Sequence, residues 1–352
     1  MKRITVNTSK QYDVLLGSGL IRQLPALLAP VCEGRKIGII TDDTVEGLYA
    51  NNVAQDLAAA GYQVSTFAFP HGEGSKHIGT LSDILEYFAE RHFTRKDVFL
   101  SIGGGVVGDI TGLAAALYMR GIQFIQVPTT LLSMVDASVG GKTAVDLKAG
   151  KNLIGAFWQP SMVVADTQVI AYLPDGIFAE GMAEVIKSDL IANAGIVKWV
   201  QEGTVKSHLE ETIESCIQMK RKVVEQDEYE TKGLRKVLNM GHTVAHAIEK
   251  LSGYEVSHGI AVATGLVWEA KISSYLGLCA PGLVDEIRQA VDAFGLYYDV
   301  PYAVEAMVEA MKSDKKNDDS RIDFVFPITY GKWEERKLEK RELTDIINTI
   351  NI

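Results

Sequence analysis

The chain is short of what marks a secreted, membrane-bound or nucleic-acid-binding protein. It has three cysteines in 352 residues, Cys32, Cys216 and Cys279, and no CxxC pair. That spacing opposes a disulfide framework and a thiolate metal site, and reads as the reduced thiols of a cytoplasmic protein. No apolar run approaches the roughly 18 residues of a membrane span. The first residues, Met1-Lys-Arg-Ile-Thr-Val-Asn7, alternate polar and apolar and lack the apolar core of a signal peptide. Neither repeats nor low-complexity tracts interrupt the chain. Cations are the scarcer sign: 35 Lys and Arg stand against 45 Asp and Glu, a formal net charge of −10. This balance argues against nucleic acid or an anionic membrane as partner. It still permits local clusters of cations around a small anion.

What is present is ordinary for a globular enzyme: 47% hydrophobic and 23% charged residues. The length suits two domains. After a β element in 1–16 and a helix over 18–29 ending near Pro30, short β-branched runs alternate with helical spacing. Strands are expected at 36–41, 62–69, 97–102, 123–127 and 161–165, with helices at 44–60, 81–93 and 110–118. This alternation predicts a Rossmann-like, doubly wound α/β domain over 1–172, with ligands beyond the carboxyl ends of its strands. Residues 131–157, rich in glycine and lysine, read as a long loop. From Leu173-Pro174 onward the pattern is mostly helical, at 176–193, 208–226, 236–252, 259–276, 282–294, 303–312 and 342–350. A hairpin is expected around Tyr330-Gly331. An all-α domain over 173–352 follows, with a substrate cleft expected between the two.

Two stretches carry chemistry. Gly103-Gly-Gly-Val-Val-Gly-Asp109 follows a strand and opens a helix. It satisfies GxGxxG, but no acid follows about 20 residues later to hold a ribose, so it is not a standard dinucleotide fingerprint. Three consecutive glycines cost more backbone entropy than a turn requires, which favours close approach to a phosphate at the helix N-terminus. Gly140-Gly-Lys-Thr143 is not a P-loop, because Asp136 stands where its first glycine belongs. The lysines beside these glycines suit an anion. In the second stretch, Asn239-Met-Gly-His-Thr-Val-Ala-His246, two histidines share a helix face. With Glu184 before and His258 after, they could form a Zn²⁺ site with one position open. Alone, the pair reads more readily as one half-buried structural histidine and one on the surface.

Taken together, six motifs identify a family. These are Gly103 to Asp109, Pro128-Thr-Thr-Leu-Leu132, Val135-Asp-Ala-Ser-Val-Gly-Gly-Lys142, Gly150-Lys-Asn-Leu-Ile-Gly-Ala-Phe157, Gly181-Met-Ala-Glu-Val-Ile-Lys187 and Leu238-Asn-Met-Gly-His-Thr243. In this order and spacing the chain resembles 3-dehydroquinate synthase from about residue 36 to its end. The resemblance implies the dehydroquinate synthase-like fold and a cytoplasmic homodimer using NAD⁺ and a divalent metal, Zn²⁺ or Co²⁺. The implied substrate is 3-deoxy-D-arabino-heptulosonate 7-phosphate (DAHP), converted to 3-dehydroquinate and phosphate in the second step of the shikimate pathway. Transient oxidation at C5, phosphate elimination, re-reduction, ring opening and an intramolecular aldol make up the reaction.

The family's residues carry over by position. Glu184, His242 and His258 match the metal ligands. Asp42, Glu73, Lys76, Gly104, Gly105, Val106, Asp109, Thr129, Thr130, Lys142 and Lys151 match positions around the cofactor. His246, Lys142, Lys187, Arg235 and Asn239 match catalytic positions, His246 as the relay for the C5 proton. Asp136, Asn152, Arg120, Lys220 and Lys316 match substrate positions, with Arg120 reaching the partner subunit's substrate phosphate. The segment from Asp227 to Arg235 is one residue longer than the usual pattern, which bears on Lys220. Ile260 stands where a glutamate is usual, Tyr172 where a threonine is frequent, and His71 where an acid is usual. Alternatives in the same fold are another sugar-phosphate cyclase, making 2-deoxy-scyllo-inosose or 2-epi-5-epi-valiolone, and a metal-dependent polyol dehydrogenase.

Overall fold

Residues 37–40 (IGII) and 98–102 (VFLSI) form short apolar runs broken only by Ser101, and strands of that kind must be covered on both faces. The computed structural model, which describes residues 1–32, 36–312 and 321–352, builds them that way. The chain divides into two units, Met1–Leu173 and Pro174–Ile352. In the first, β1 (Lys2–Val6), β2 (Tyr12–Gly17), β3 (Lys36–Asp42), β4 (Gln63–Phe69), β5 (Val98–Gly103) and β6 (Gln123–Pro128) enter one sheet. A separate hairpin, β7 (Lys142–Leu147) and β8 (Gly150–Phe157), precedes the seventh strand of the sheet, β9 (Met162–Asp166). The order is β1-β2-β9-β6-β5-β3-β4, parallel except for β1 against β2. Leu24, Leu28, Val53 and Leu57 cover one face of the sheet, from the helices Leu24–Cys32 and Asn51–Ala59. Leu81, Ile84, Phe88, Ile110 and Leu113 cover the other, from Ile78–Glu90 and Gly105–Leu117.

The first helix, Leu24–Cys32, ends near Pro30 as expected but starts later than residue 18, after a 3₁₀ turn at Ile21–Gln23. One further expectation for this unit needs correction. The presumed loop 131–157 contains a helical turn at Ser133–Ala137 and the β7–β8 hairpin. Its apolar period is masked by glycine. Val145 is fully buried and packs in the cluster on the Phe124 face, while a Cβ on Gly155 would meet the Thr143 carbonyl at 2.3 Å. Close strand approach accounts for that glycine, and an anion is not needed to explain it.

The second unit is helical apart from the hairpin β10 (Arg321–Thr329) and β11 (Lys332–Glu339). The helix His258–Tyr275 is its axis, buried on nearly every side from Gly259 to Ser273. Among the described residues no helix is long and apolar enough to cross a membrane. The single helix expected at 236–252 is broken. A 3₁₀ segment, Leu234–Asn239, stops at Met240, Gly241 takes φ +80°, and a new helix begins at His242. At Gly241 a side chain would both strain that φ and sit 3.0 Å from the Val262 carbonyl and the Leu266 side chain. The break turns a mid-helix histidine into the first residue of a helix.

Candidate active site

Three elements of the second unit converge on one point. Glu184 projects from the helix Asp175–Ala192, His242 opens the helix His242–Leu251, and His258 opens the helix His258–Tyr275. One ligand atom from each lies within 4.8 Å of the others. His242 Nε2 is 3.6 Å and His258 Nε2 3.4 Å from Glu184 Oε1. The opposite nitrogens are held elsewhere. His242 Nδ1 faces the Met240 carbonyl at 3.1 Å, and His258 Nδ1 faces Glu249 Oε1 at 3.4 Å. A carbonyl only accepts, so His242 Nδ1 carries the hydrogen and Nε2 keeps its lone pair.

The electrostatics suit a cation. Glu184 is 1% exposed, and among the described residues neither of its oxygens has a hydrogen bond of good geometry, although the Lys187 ammonium touches Oε2. Burial alone would raise this carboxyl. The Lys187 charge and the two imidazoles carry it well below the usual range, so it is ionised. Burial and the Lys187 ammonium hold His242 at about 3, hence neutral. His258 is opposed by burial, but its contacts with Glu184 and Glu249 lift it to about 10. In the metal-free chain a proton on His258 therefore balances the acids. A buried carboxylate faced by two converging Nε2 atoms is the donor set of a Zn²⁺-type centre with a coordination position left for substrate. These residues fit the ion.

Around the triad, Asn239, His242, Thr243 and His246 line one side of a pocket, with Lys236 and the β10–β11 residues Asp323, Val325, Glu335 and Lys337 on the other. The His242 and His246 rings meet edge to face, 5.6 Å apart. Lys187, expected at the substrate, is 1% exposed and gives its ammonium to Glu184 and, at 2.8 Å, to the Leu238 carbonyl. Arg235 is 2% exposed, with Nη1 donating to the Glu228 carbonyl at 2.7 Å. Asp227 accepts from the Thr231 and Lys232 amides, at 2.8 and 3.0 Å, and fixes the loop before Arg235. Lys220 is buried in the helix Leu209–Gln226. Lys316 lies outside the described residues.

In the first unit the expected cofactor residues gather at the carboxyl ends of the strands. Gly104 caps the helix Gly105–Leu117 at the end of β5, and Thr129 N donates to the Gly103 carbonyl, joining the ends of β5 and β6. The glycines differ in purpose. A Cβ on Gly103 would strike Val107 at 2.5 Å, so that one serves packing. A Cβ on Gly104 would press on Thr130 at 3.3 Å and one on Gly105 would touch Ala137 at 3.5 Å, so these glycines sit close to the residues that follow β6 at the helix N-terminus. The Thr129 hydroxyl is buried with no partner among the described residues, as a ligand-facing group would be. Lys76, 5% exposed, donates to Asp109 and to Asn152 Oδ1, both at 2.7 Å, with Glu73 at 3.9 Å. Burial would lower Lys76, but Asp109 and Glu73 carry it above its usual value. Lys151 stands 3.8 Å from Glu73. This orphan hydroxyl, glycine-capped helix N-terminus and acid–lysine pair fit a dinucleotide.

Other assignments fall apart from that cluster or take local tasks. Asp42 accepts from the Thr44 and Val45 amides as a helix cap, at 3.0 and 2.8 Å. Thr130 and Ser133 bond each other. Asp136 lies in the turn Ser133–Ala137 and Lys142 opens β7. Arg120 precedes β6, at the amino end of the sheet and opposite the cradle. It is held there by three successive positive φ values, at Met119, Arg120 and Gly121. The sequence reading missed Glu249 and Glu269. Glu249 lies two turns from His242 on the same face. Glu269 is fully buried and Oε2 accepts from Gly241 N at 2.6 Å. Burial raises its carboxyl well above the usual range, against the bonds from the Gly241 and Thr243 amides. An acid inside an apolar helical run was the available signal.

Comparison with known proteins bears on the family and the fold. The family model described as 3-dehydroquinate synthase N-terminal matches residues 66–180, and the one described as 3-dehydroquinate synthase C-terminal matches 181–317. The chain is 40% identical over 332 residues to 3-dehydroquinate synthase of Rippkaea orientalis (strain PCC 8801 / RF-1), covering 91% of this chain and 90% of the relative. It is 37% identical over 350 residues to that of Clostridium kluyveri, covering 97% of each. Among solved structures it is similar to 2-deoxy-scyllo-inosose synthase complexed with carbaglucose-6-phosphate, NAD⁺ and Co²⁺ (TM-score 0.87, 24% identity, 99% of this chain and 100% of that one). It is also similar to 2-epi-5-epi-valiolone synthase from Streptomyces hygroscopicus subsp. jinggangensis 5008 with NAD⁺ and Zn²⁺ bound (TM-score 0.88, 24% identity, 99% of each). At that identity the structures establish the fold alone.

Proposed function

The chain belongs to the 3-dehydroquinate synthase family, and we propose that it converts DAHP to 3-dehydroquinate and phosphate with NAD⁺ and a divalent metal, Zn²⁺ or Co²⁺. The observation that carries this reading is the convergence of Glu184, His242 and His258, with both Nε2 atoms turned toward a buried carboxylate. When bound, NAD⁺ would take up and return the C5 hydride and the ion would polarise the C5 oxygen. Residues 1–172 serve as the NAD-binding domain and 173–352 as the metal- and substrate-binding domain. The amides at Gly104 to Val106 receive the pyrophosphate, and Glu73, Lys76 and Asp109 hold the ribose and nicotinamide end. Asp42, Thr129, Thr130 and Lys151 complete that cradle.

His246, beside His242 in the pocket, takes the C5 hydroxyl proton and passes it on. Asn239 orients the substrate hydroxyls. Lys142, Lys220, Arg235 and Lys316 counter the carboxylate and phosphate, with Asp136 and Asn152 fixing position. Lys187 acts through the charge it places beside Glu184. Arg120, exposed at the amino end of the sheet, serves the phosphate of a partner subunit in a cytoplasmic homodimer. The leaving phosphate itself accepts the proton lost in elimination, so no further protein base is required.

The test offers the purified chain DAHP, sedoheptulose 7-phosphate and glucose 6-phosphate in turn, with phosphate and absorbance at 340 nm followed together. DAHP alone should release phosphate, with no net absorbance change, and chelation should stop it until Zn²⁺ or Co²⁺ is restored. Steady NADH accumulation would instead indicate a dehydrogenase, and turnover of either other sugar phosphate would indicate a different cyclase.

A further inference from the structure

Metal-binding histidines depend on what holds their second nitrogen, because that bond sets both the tautomer and the ring orientation. For His258 the holder is direct. Glu249, from the helix His242–Leu251, places Oε1 3.4 Å from His258 Nδ1. For His242 the holder is the Met240 carbonyl at 3.1 Å, a weaker acceptor on a short bend between two helical segments. The same peptide group, Met240 C=O with Gly241 N–H, is gripped from its other side. Gly241 N donates to Glu269 Oε2 at 2.6 Å, and Glu269 has no exposed surface. Glu269 belongs to the helix that His258 opens, three turns further on.

Resting on the metal reading given above, we propose that the Glu269 carboxyl group positions His242, acting through the Met240–Gly241 peptide. The chain of bonds runs from Glu269 Oε2 to Gly241 N–H, across the peptide to the Met240 oxygen, and from there to His242 Nδ1–H. His242 Nε2 is thereby left to the ion. Bonds aligned through one peptide polarise each other in the same sense, so the bond accepted by Glu269 Oε2 strengthens the Met240 oxygen as an acceptor. Geometry makes the arrangement specific. Gly241 has φ +80°, and a Cβ on Gly265 would lie 2.0 Å from the Gly241 oxygen, so two glycines admit the close approach that brings the carboxyl group within reach. Each histidine-bearing helix thus supplies the acid that fixes the other helix's ligand. Glu269 touches neither ion nor substrate and is a positioning residue.

The experiment measures Co²⁺ and Zn²⁺ affinity of the full chain by competition with a chromophoric chelator, together with the Co²⁺ d–d absorption spectrum. Glu269→Ala should lower affinity about 10–100-fold, the range for loss of such a partner, and should alter the Co²⁺ spectrum. Glu269→Asp, which keeps the carboxyl group but draws the oxygen out of reach, should do the same. Glu269→Gln keeps an acceptor and should recover most of the affinity. Ile272→Ala opens a cavity in the same helix without touching the chain of bonds, and should leave metal affinity within about threefold of the parent. If Glu269→Ala and Glu269→Asp bind within threefold of the parent, or Ile272→Ala loses as much as they do, the relay is refuted while the metal centre stands. If the parent chain itself binds neither ion, or binds equally well after His242→Ala, the metal reading fails and the relay with it.

Discussion

Lys187 offers the sharpest test of the charge balance at the triad. Its ammonium is 1% exposed, touches Glu184 and donates to the Leu238 carbonyl at 2.8 Å. Lys187→Met keeps most of the side-chain volume and removes the charge. In the metal-free chain this leaves a buried carboxylate without its main countercharge. Removing one partner of a buried pair costs about 3–5 kcal/mol. The orphaned Leu238 carbonyl points the same way, while His258, protonated and 3.4 Å from Glu184, offsets part of the loss. A net destabilisation near 3 kcal/mol is expected, which for a unit of this size is roughly 6–12 °C in Tm. Metal affinity should move the other way. Lys187 repels any cation bound at Glu184 and adds to burial in holding His242 at about 3. The variant should therefore bind Zn²⁺ more tightly and gain more stability from saturating metal than the parent does. Urea unfolding in chelator and in excess Zn²⁺, with direct titration of the ion, reads both effects. If metal-free Lys187→Met lies within 1 kcal/mol of the parent, the pair is not a buried countercharge. If the variant is destabilised but also binds Zn²⁺ more weakly, Lys187 acts by shaping the site and the charge argument is refuted.

Two further outcomes follow from packing and burial in the same unit. Gly265→Ala should cost about 1–3 kcal/mol by overpacking, because the new Cβ would meet the Gly241 oxygen at 2.0 Å; unfolding that matches the parent would show that the two helices can part freely. Glu269 is raised above its unfolded value, so the folded state holds its proton more tightly. Stability should fall as pH rises from the ordinary carboxylate range toward the folded pKa, and Glu269→Gln should remove that contribution; an unchanged pH slope in urea titrations would contradict it.

The parallel sheet was legible because strands covered on both faces leave short apolar runs, as in 37–40 and 98–102. The β7–β8 hairpin was not. Gly150 and Gly155 occupy positions where the backbone needs an unusual φ or a close strand, and apolar Leu147, Leu153 and Phe157 stand at exposed sites. Both features erase the alternation that announces a strand. The break before His242 was hidden for a related reason. Asn239-Met-Gly carries no proline, and a lone glycine inside a helical period reads as a tolerated defect unless its φ is known.

That break decides how the site should be understood. Two histidines four apart suggest two ligands on one continuous helix. The structure instead gives the first histidine a helix start, where its Nδ1 bonds back to a carbonyl outside the helix. The second follows one turn later and faces the pocket. A residue within a helix could not bond its ring to a carbonyl two residues earlier without disturbing the helical pattern, so the tautomer of His242 depends on the glycine before it. The acids that hold these ligands, Glu249 and Glu269, were invisible for a different reason. An acid in a helix is read by default as exposed, and only contact with the next helix shows that Glu269 is enclosed and bonded to Gly241. Ligand types can be read from spacing, but ligand orientation depends on contacts between helices far apart in sequence.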